Sequence, residues 1–234
     1  SDVCSSDLVR GAGTNQTAVA TFEVRDLRGN PVRDGIAVHF SLDSPGGGDE
    51  TVDPPRAETL GGRVRVAIGS GTLARTVRLV AEVFTAADTV RSTPVPIAIH
   101  GGLPDRGHFS LAAHPVNLAG RVLFGLESTI TAYVFDAYSN PVAPGTSVRF
   151  RTDGGGVQGA TEADVDGQGA VQLFTAAPIP QGPGFLATVT GQTVDAQGQQ
   201  IEASTTVLFS GPTAPIRLFD EAAAAGDLFI ADRK

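Results

Sequence analysis

The sequence predicts an all-β chain of two tandem sandwiches, and three observations carry that expectation. First, residues 26–40 (D-L-R-G-N-P-V-R-D-G-I-A-V-H-F) return as residues 136–150 (D-A-Y-S-N-P-V-A-P-G-T-S-V-R-F). Asp26, Asn30, Pro31, Gly35 and Phe40 become Asp136, Asn140, Pro141, Gly145 and Phe150, each 110 residues later. Repetition over that distance marks a repeated unit of domain size. Second, short alternating segments separated by turn signals recur along the chain, the pattern of half-buried strands. Third, nothing sustains a helical apolar period except the alanine run at 222–225.

The repeated stretch reads as two strands joined by a tight corner. Ahead of it Ala18, Ala20, Phe22 and Val24 alternate with Thr17, Thr21, Glu23 and Arg25. The second copy keeps the phase with Ile130, Ala132 and Val134 inward, and a slip of one residue would invert both faces. Asn30-Pro31 and Asn140-Pro141 turn the chain, because proline fixes φ, lacks a donor and drives the preceding residue out of the helical region. Val38, Phe40 and Leu42, or Val148 and Phe150, resume the alternation.

In order along the chain, residues 9–101 form the first domain, with a glycine run at 46–48 and further strands at 63–68, 77–83 and 95–99. Residues 102–211 repeat the order, with glycines at 154–156 and strands at 170–174, 185–189 and 207–209. The run 108–126 (H-F-S-L-A-A-H-P-V-N-L-A-G-R-V-L-F-G-L) has its first-domain equivalent largely before residue 9, so the first domain is expected to lack its opening strand. Residues 212–231 read as the start of a third repeat. The connection 101–106 (G-G-L-P-D-R) reads as a limited hinge.

Composition excludes several classes. The net charge is −8 and the bases are almost all arginines spread singly, which argues against the clustered basic face that nucleic acid needs. No apolar run reaches the length of a membrane span, so no membrane contact is expected of these residues. Lys234 is the only lysine and methionine is absent, as expected of a piece of a longer reading frame. Residues 2–8 (D-V-C-S-S-D-L), which include the sole cysteine, Cys4, resemble a translated sequencing adapter. Residues 232–234 resemble its complement, and both ends 1–8 and 232–234 are set apart from the fold on that reading.

The pattern D-x-x-G-N-P-V-x-x-G-x-x-V-x-F, followed by D-x-D-G-Q-G-A-V-Q-L at 164–173, resembles the bacterial immunoglobulin-like repeats of the intimin and invasin type. The resemblance spans residues 14–211. It departs at Ser139, where the first copy has Gly29, and at Leu60-Gly61-Gly62, where a D-x-x-G turn is expected. It implies tandem immunoglobulin-like Greek-key sandwiches on a bacterial cell surface or secreted protein, acting as spacer or adhesion modules. Their partners would be neighbouring repeats of the chain and a host or surface receptor or glycan. The rival readings are an accessory module of a secreted carbohydrate-active or proteolytic enzyme and a component of a phage tail.

Candidate sites are sparse, and neither cofactor nor catalysis is expected. Asp164 and Asp166 begin like a calcium loop, but position twelve is Thr175 where a bidentate Glu is required, and an Asp-Gly hairpin turn accounts for them. Asp26 and Asp136 are placed to reach a metal at a domain junction, yet turn amides explain them more simply. The glycine runs precede no helix and no Lys-Ser/Thr, so they read as flexible connections, not phosphate cradles. His39, His100, His108 and His114 show no metal spacing, and no nucleophile elbow is present. Tyr133 and Tyr138 are the only tyrosines and tryptophan is absent, a poor basis for a sugar platform; Tyr138 reads as a lid on the domain end.

Overall fold

Strand alternation dictates where each side chain goes, and the computed structural model shows the outcome for residues 2–4, 7–11, 16–43, 49–86, 88–181, 184–212, 217–218 and 229–230. The first sandwich holds β1 (Asp2–Cys4), β2 (Asp7–Leu8), β3 (Thr17–Glu23), β4 (Ala37–Asp43), β5 (Thr51–Asp53), β6 (Arg56–Glu58), β7 (Arg63–Gly69), β8 (Arg75–Phe84), β9 (Thr89–Arg91) and β10 (Val95–His100). One sheet runs β1-β3-β7-β5; the other runs β2-β10-β8-β4-β6, with β9 beside β8.

The second sandwich repeats that plan with β11 (Phe109–His114), β12 (Asn117–Leu118), β13 (Glu127–Val134), β14 (Ser147–Thr152), β15 (Gly156–Val157), β16 (Ala160–Glu162), β17 (Gln168–Phe174), β18 (Leu186–Val194) and β19 (Gln200–Phe209). Its sheets run β11-β13-β17-β15 and β12-β19-β18-β14-β16. The architecture is all-β, with no α-helix among the described residues. Of the tail, only the pair β20 (Arg217–Leu218) and β21 (Phe229–Ile230) is described. The third-repeat reading of 212–231 and the alanine run otherwise lie outside the described residues, as does the glycine run 46–48.

Each sandwich buries the inward phase of its strands in its own core. Ala18, Ala20 and Phe22 of β3 face Val38, Phe40, Val77 and Leu79 across the first. Ile130, Ala132 and Val134 of β13 do so against Val148, Phe150, Ala187 and Val189 in the second. The constant spacing of 110 conceals two compensating changes. Phe40 pairs with Ala81 and Phe150 with Gly191, so these strands keep the offset. Ala20 pairs with Val66 but Ile130 with Val171, an offset of 105. The second copy is thus shorter between β14 and β17 and correspondingly longer between β17 and β18, where residues 175–185 replace residues 70–74.

The opening position of the first sandwich, expected to be empty, is occupied. β1 pairs antiparallel with β3, and β2 parallel with β10, as β11 and β12 do with β13 and β19. An edge slot accepts any extended backbone, because the ladder is made of main-chain groups. The slot is filled by three residues where the second sandwich uses six, and the cores differ to match. In the second, Ala132 and Gly191 leave room for Phe109 of β11, whose ring lies 3.3 Å from where a Cβ on Gly191 would stand. In the first, β3 itself supplies the ring as Phe22, 5.8 Å from that of Phe40. In the second sandwich the opening strand therefore carries core weight through Phe109. Phe109→Ala should cost about 3–5 kcal/mol in urea unfolding, and deletion of residues 1–4 should cost clearly less; a reversed order would contradict this account of the two cores.

Candidate functional site

The repeated aspartate builds one local device. Asp26 Oδ1 accepts hydrogen bonds from the amides of Arg28 at 2.8 Å and Asn30 at 2.9 Å. The Asp26 amide donates to the Asn30 carbonyl and the Gly29 amide to the Asp26 carbonyl. Asp136 repeats this with Tyr138 and Asn140, each at 2.9 Å. The fourth residue stands at positive φ, +84° in Gly29 and +66° in Ser139. Serine there accepts a conformation that glycine adopts freely, so the departure at Ser139 leaves the turn intact.

Two further turns have the same geometry. Asp164 accepts from Asp166 and Gln168, and Asp195 from Gln197 and Gln199. The residue two beyond the aspartate is thus Arg28, Tyr138, Asp166 or Gln197, so the turn does not require a carboxylate there. Asp164 is engaged as a turn acceptor, and among the described residues no three His, Cys, Asp or Glu side chains assemble into a metal site. The Asp195 turn was legible in D-A-Q-G-Q and went unread; its signal is the Asp–Gly spacing of three.

What separates Asp136 and Asn140 from Asp26 and Asn30 is burial. The second pair is 2% and 6% exposed, whereas the first lies open. The cause is the neighbouring sandwich. Asn140 Oδ1 accepts from the Ala74 amide at 2.9 Å, and its Nδ2 donates to the Thr72 carbonyl, also at 2.9 Å. Asn140 Nδ2 is held in turn by Asp136 Oδ2 at 2.9 Å, which also accepts from the Gly102 amide at 2.8 Å. One carboxamide thereby grips the main chain of the loop between β7 and β8, and one carboxylate ties down the linker.

The gripped loop is held from its own side as well. Arg75 forms a two-pronged ion pair with Glu50, Nε to Oε1 at 2.8 Å and Nη2 to Oε2 at 2.7 Å, with Glu50 almost wholly buried. The Thr72 amide donates to Asp49 Oδ1 at 2.9 Å, and Asp49 also pairs with Arg10. The linker fits closely: a Cβ on Gly101 would stand 1.9 Å from the Pro141 carbonyl oxygen, so only glycine passes. Gly101, Gly102 and Pro104 are buried, and the Asp105 amide donates to the Phe135 carbonyl at 3.0 Å. The expected limited hinge is a packed connection. Thr72, Ala74 and Gly102 escaped sequence reasoning because they take part through main-chain atoms, which carry no sequence signal.

The remaining expected residues fall into structural places. Pro31 and Pro141 bridge to Arg25 and Phe135 across the corner. Gly35 and Gly145 donate to the Thr59 and Ala163 carbonyls, and Phe40 and Phe150 enter the cores. Residues 154–156 are not a flexible connection: Cβ atoms there would meet Pro180, the Phe174 carbonyl and the Phe174 ring at 2.3–2.5 Å, so close packing selects glycine. Tyr138 stands at the junction with its hydroxyl against Gly11. Tyr133 is half-buried on β13. His39 packs edge-on to Phe84 at 5.0 Å, and His108 Nδ1 is 2.8 Å from Asp105 Oδ1. His100 and His114 lie at the ends of β10 and β11.

Three hollows adjoin the junction, one of them an open groove of about 440 Å³ along Arg75, His100, Pro141 and Val165. A cleft of about 90 Å³ between Gly11, Tyr138 and Gln197 is far below the few hundred Å³ of ordinary ligand sites. A shallow groove of about 570 Å³ along Ser147, Arg149, Gln192 and Gln200 is lined by hydroxyls, amides and one cation, without an acid or imidazole to serve as a base.

Four carboxylates titrate below their ordinary values. Glu23 is lowered chiefly by Arg25, Asp26 by the Asn30 amide, Asp105 by His108 and Glu202 by Gln192. Because the folded pKa is depressed, the stability these groups add is present above the unfolded values, 3.8 for Asp and 4.5 for Glu, and is lost as pH falls through the folded ones. Glu23, Asp26 and Glu202 are exposed and Asp105 is half-buried, so each contribution is small.

Among solved structures, the chain is similar to the Escherichia coli adhesin FdeC, with 18% identity over 89% of this chain and 62% of that one, and a TM-score of 0.61. It is also similar to invasin, a bacterial integrin-binding protein, with 24% identity over 92% of this chain and 40% of that one, at a TM-score of 0.42. For the D0-D1 domain of intimin the figures are 16%, 88%, 97% and 0.33. No family model and no curated protein matches. The FdeC likeness is one of fold, that of immunoglobulin-like β-sandwiches.

Three outcomes follow from this geometry. Asn140→Ala should leave the Thr72 carbonyl and Ala74 amide without their partner, costing about 1–3 kcal/mol and speeding hydrogen exchange at the Ala74 amide. Asp166→Ala should stay within about 0.5 kcal/mol of the parent, Asp164→Ala should lose about 1–2 kcal/mol, and neither calcium nor chelator should move the thermal midpoint. In an acid titration of stability, decline should begin as pH drops below about 4.5, where the depressed carboxylates start to lose their advantage.

Proposed function

We propose that the chain is a non-enzymatic spacer segment of a bacterial cell-surface or secreted adhesin-type protein, built from domains at 9–101 and 102–211, with a further repeat beginning in 212–231. The observation that carries this reading is the junction. Asn140 and Asp136 bind the end loop of one sandwich and the linker to the corner of the next, so the domains meet through strand-connecting loops at their ends. A joint of that kind holds direction, and a repeated sandwich then sets distance.

The fold shared with FdeC, itself an adhesin, supports placing the chain in such a protein. The side groove lacks an acid–base pair, and every turn aspartate is engaged as a structural acceptor, which favours a mechanical role over chemistry. Receptor or glycan contact is assigned to other parts of the parent protein, because Tyr138 is a lone exposed aromatic whose hydroxyl lies beside Gly11.

At about 3.3 Å per residue, a sandwich with ten-residue strands is roughly 30–35 Å long, so two end to end reach about 70 Å. Small-angle scattering of residues 9–211 should give an elongated particle of that length. A compact, near-spherical profile would overturn the spacer role.

A further inference from the structure

We propose that the turn 26–30 of the first sandwich is a second copy of the clasp, a docking site for the end of a preceding sandwich of the same fold. The proposal rests on the tandem-array reading and names the surface and chemistry by which the array would continue. The partner atoms are a main-chain carbonyl and amide two residues apart in a short loop equivalent to residues 70–74, with a linker amide equivalent to that of Gly102.

The second copy shows what the first is built to hold. The two turns agree to about 0.1 Å in their carboxylate-to-amide bonds, so Asn30 leaves its corner as Asn140 does. At 136–140 the carboxamide is fixed by Asp136 at 2.9 Å and reaches across the junction. At 26–30 the same contact is relaxed to 3.4 Å, and the carboxamide lies open to solvent. Asp26 Oδ2, which corresponds to the oxygen that takes the Gly102 amide, is likewise exposed. Beside them Leu27 is fully exposed, an apolar side chain on the face where a neighbour would sit.

The chemistry selects this occupant over others. With one Nδ2 hydrogen held by the turn aspartate, the carboxamide still offers its carbonyl oxygen as acceptor and its second N–H as donor, the complement of a peptide N–H and C=O spaced as in Ala74 and Thr72. Because the recognition is of main chain, the preceding domain needs the short loop and a glycine at the linker but no particular side chains. The corresponding ends of the first and second sandwiches differ in the length of this loop. Eleven residues, 175–185, stand where the first sandwich has the five residues 70–74, so the site at 26–30 fits an end resembling that of the first sandwich.

Two experiments test this. In the chain as it is, Ala137→Leu/Tyr138→Arg/Ser139→Gly installs the first copy's turn at the junction. The Ala74 amide should keep its slow exchange within about twofold; exchange as fast as in Asn140→Ala would show that the first copy's turn cannot clasp. In a longer chain, residues 9–118, with Phe109→Ala because Phe22 already fills that place in the following core, are placed ahead of residues 9–234, which keeps the spacing of 110 and supplies the native linker and opening run. There Asn30→Ala should raise exchange at the leading copy's Ala74 about tenfold, while leaving the midpoint of the unextended chain unchanged. No change at the leading Ala74 would refute the docking site, and if that longer chain still scatters as a rod the spacer role would stand without it. Should the longer chain not fold, the triple substitution alone decides.

Discussion

A carboxylate oxygen that accepts two main-chain amides closes a five-residue corner at Asp26, Asp136, Asp164 and Asp195, and the rest of the structure is arranged around what those corners fix. Each corner satisfies amides that a turn would otherwise leave to solvent and sets the fourth residue at positive φ. The strands that leave it then have a determined register, and with the register comes the choice of which face is buried. At 136–140 the same local bonds also aim a side chain at the neighbouring sandwich, so a device for turning the chain becomes a device for joining domains.

The two sandwiches solve one packing problem with different parts. The aromatic volume that Phe22 supplies from β3 in the first comes from Phe109 of β11 in the second, opposite Ala132 and Gly191. Interiors are close-packed, so a ring gained at one position must be matched by small residues elsewhere. The same economy accounts for the glycines at 154–156, where the ring of Phe174 and the ring of Pro180 occupy the space a side chain would need.

Much of this was legible in the sequence because strands and corners are local. The phase of Ala18, Ala20 and Phe22 and the proline after Asn30 are enough to place β3, the corner and β4. What depended on distant neighbours was not legible. Asn30 and Asn140 are the same residue in the same motif, yet only the second is buried, because burial there depends on Thr72 and Ala74. The constant spacing of 110 hid an offset of 105 across β7 and β17, since a shorter and a longer loop cancel. The opening edge of the first sandwich was expected to be empty because side-chain pattern is what a sequence displays, whereas a sheet edge recruits backbone.

The clasp addresses atoms that every residue except proline possesses. Substitutions in the gripped loop that preserve its length and conformation leave the carbonyl of residue 72 and the amide of residue 74 where they are, so the two sides of the joint need not change in concert. A gene encoding such units can be lengthened, shortened or recombined by whole units, and each new seam is competent at once. What such a lineage must guard is loop length, five residues at 70–74 against eleven at 175–185.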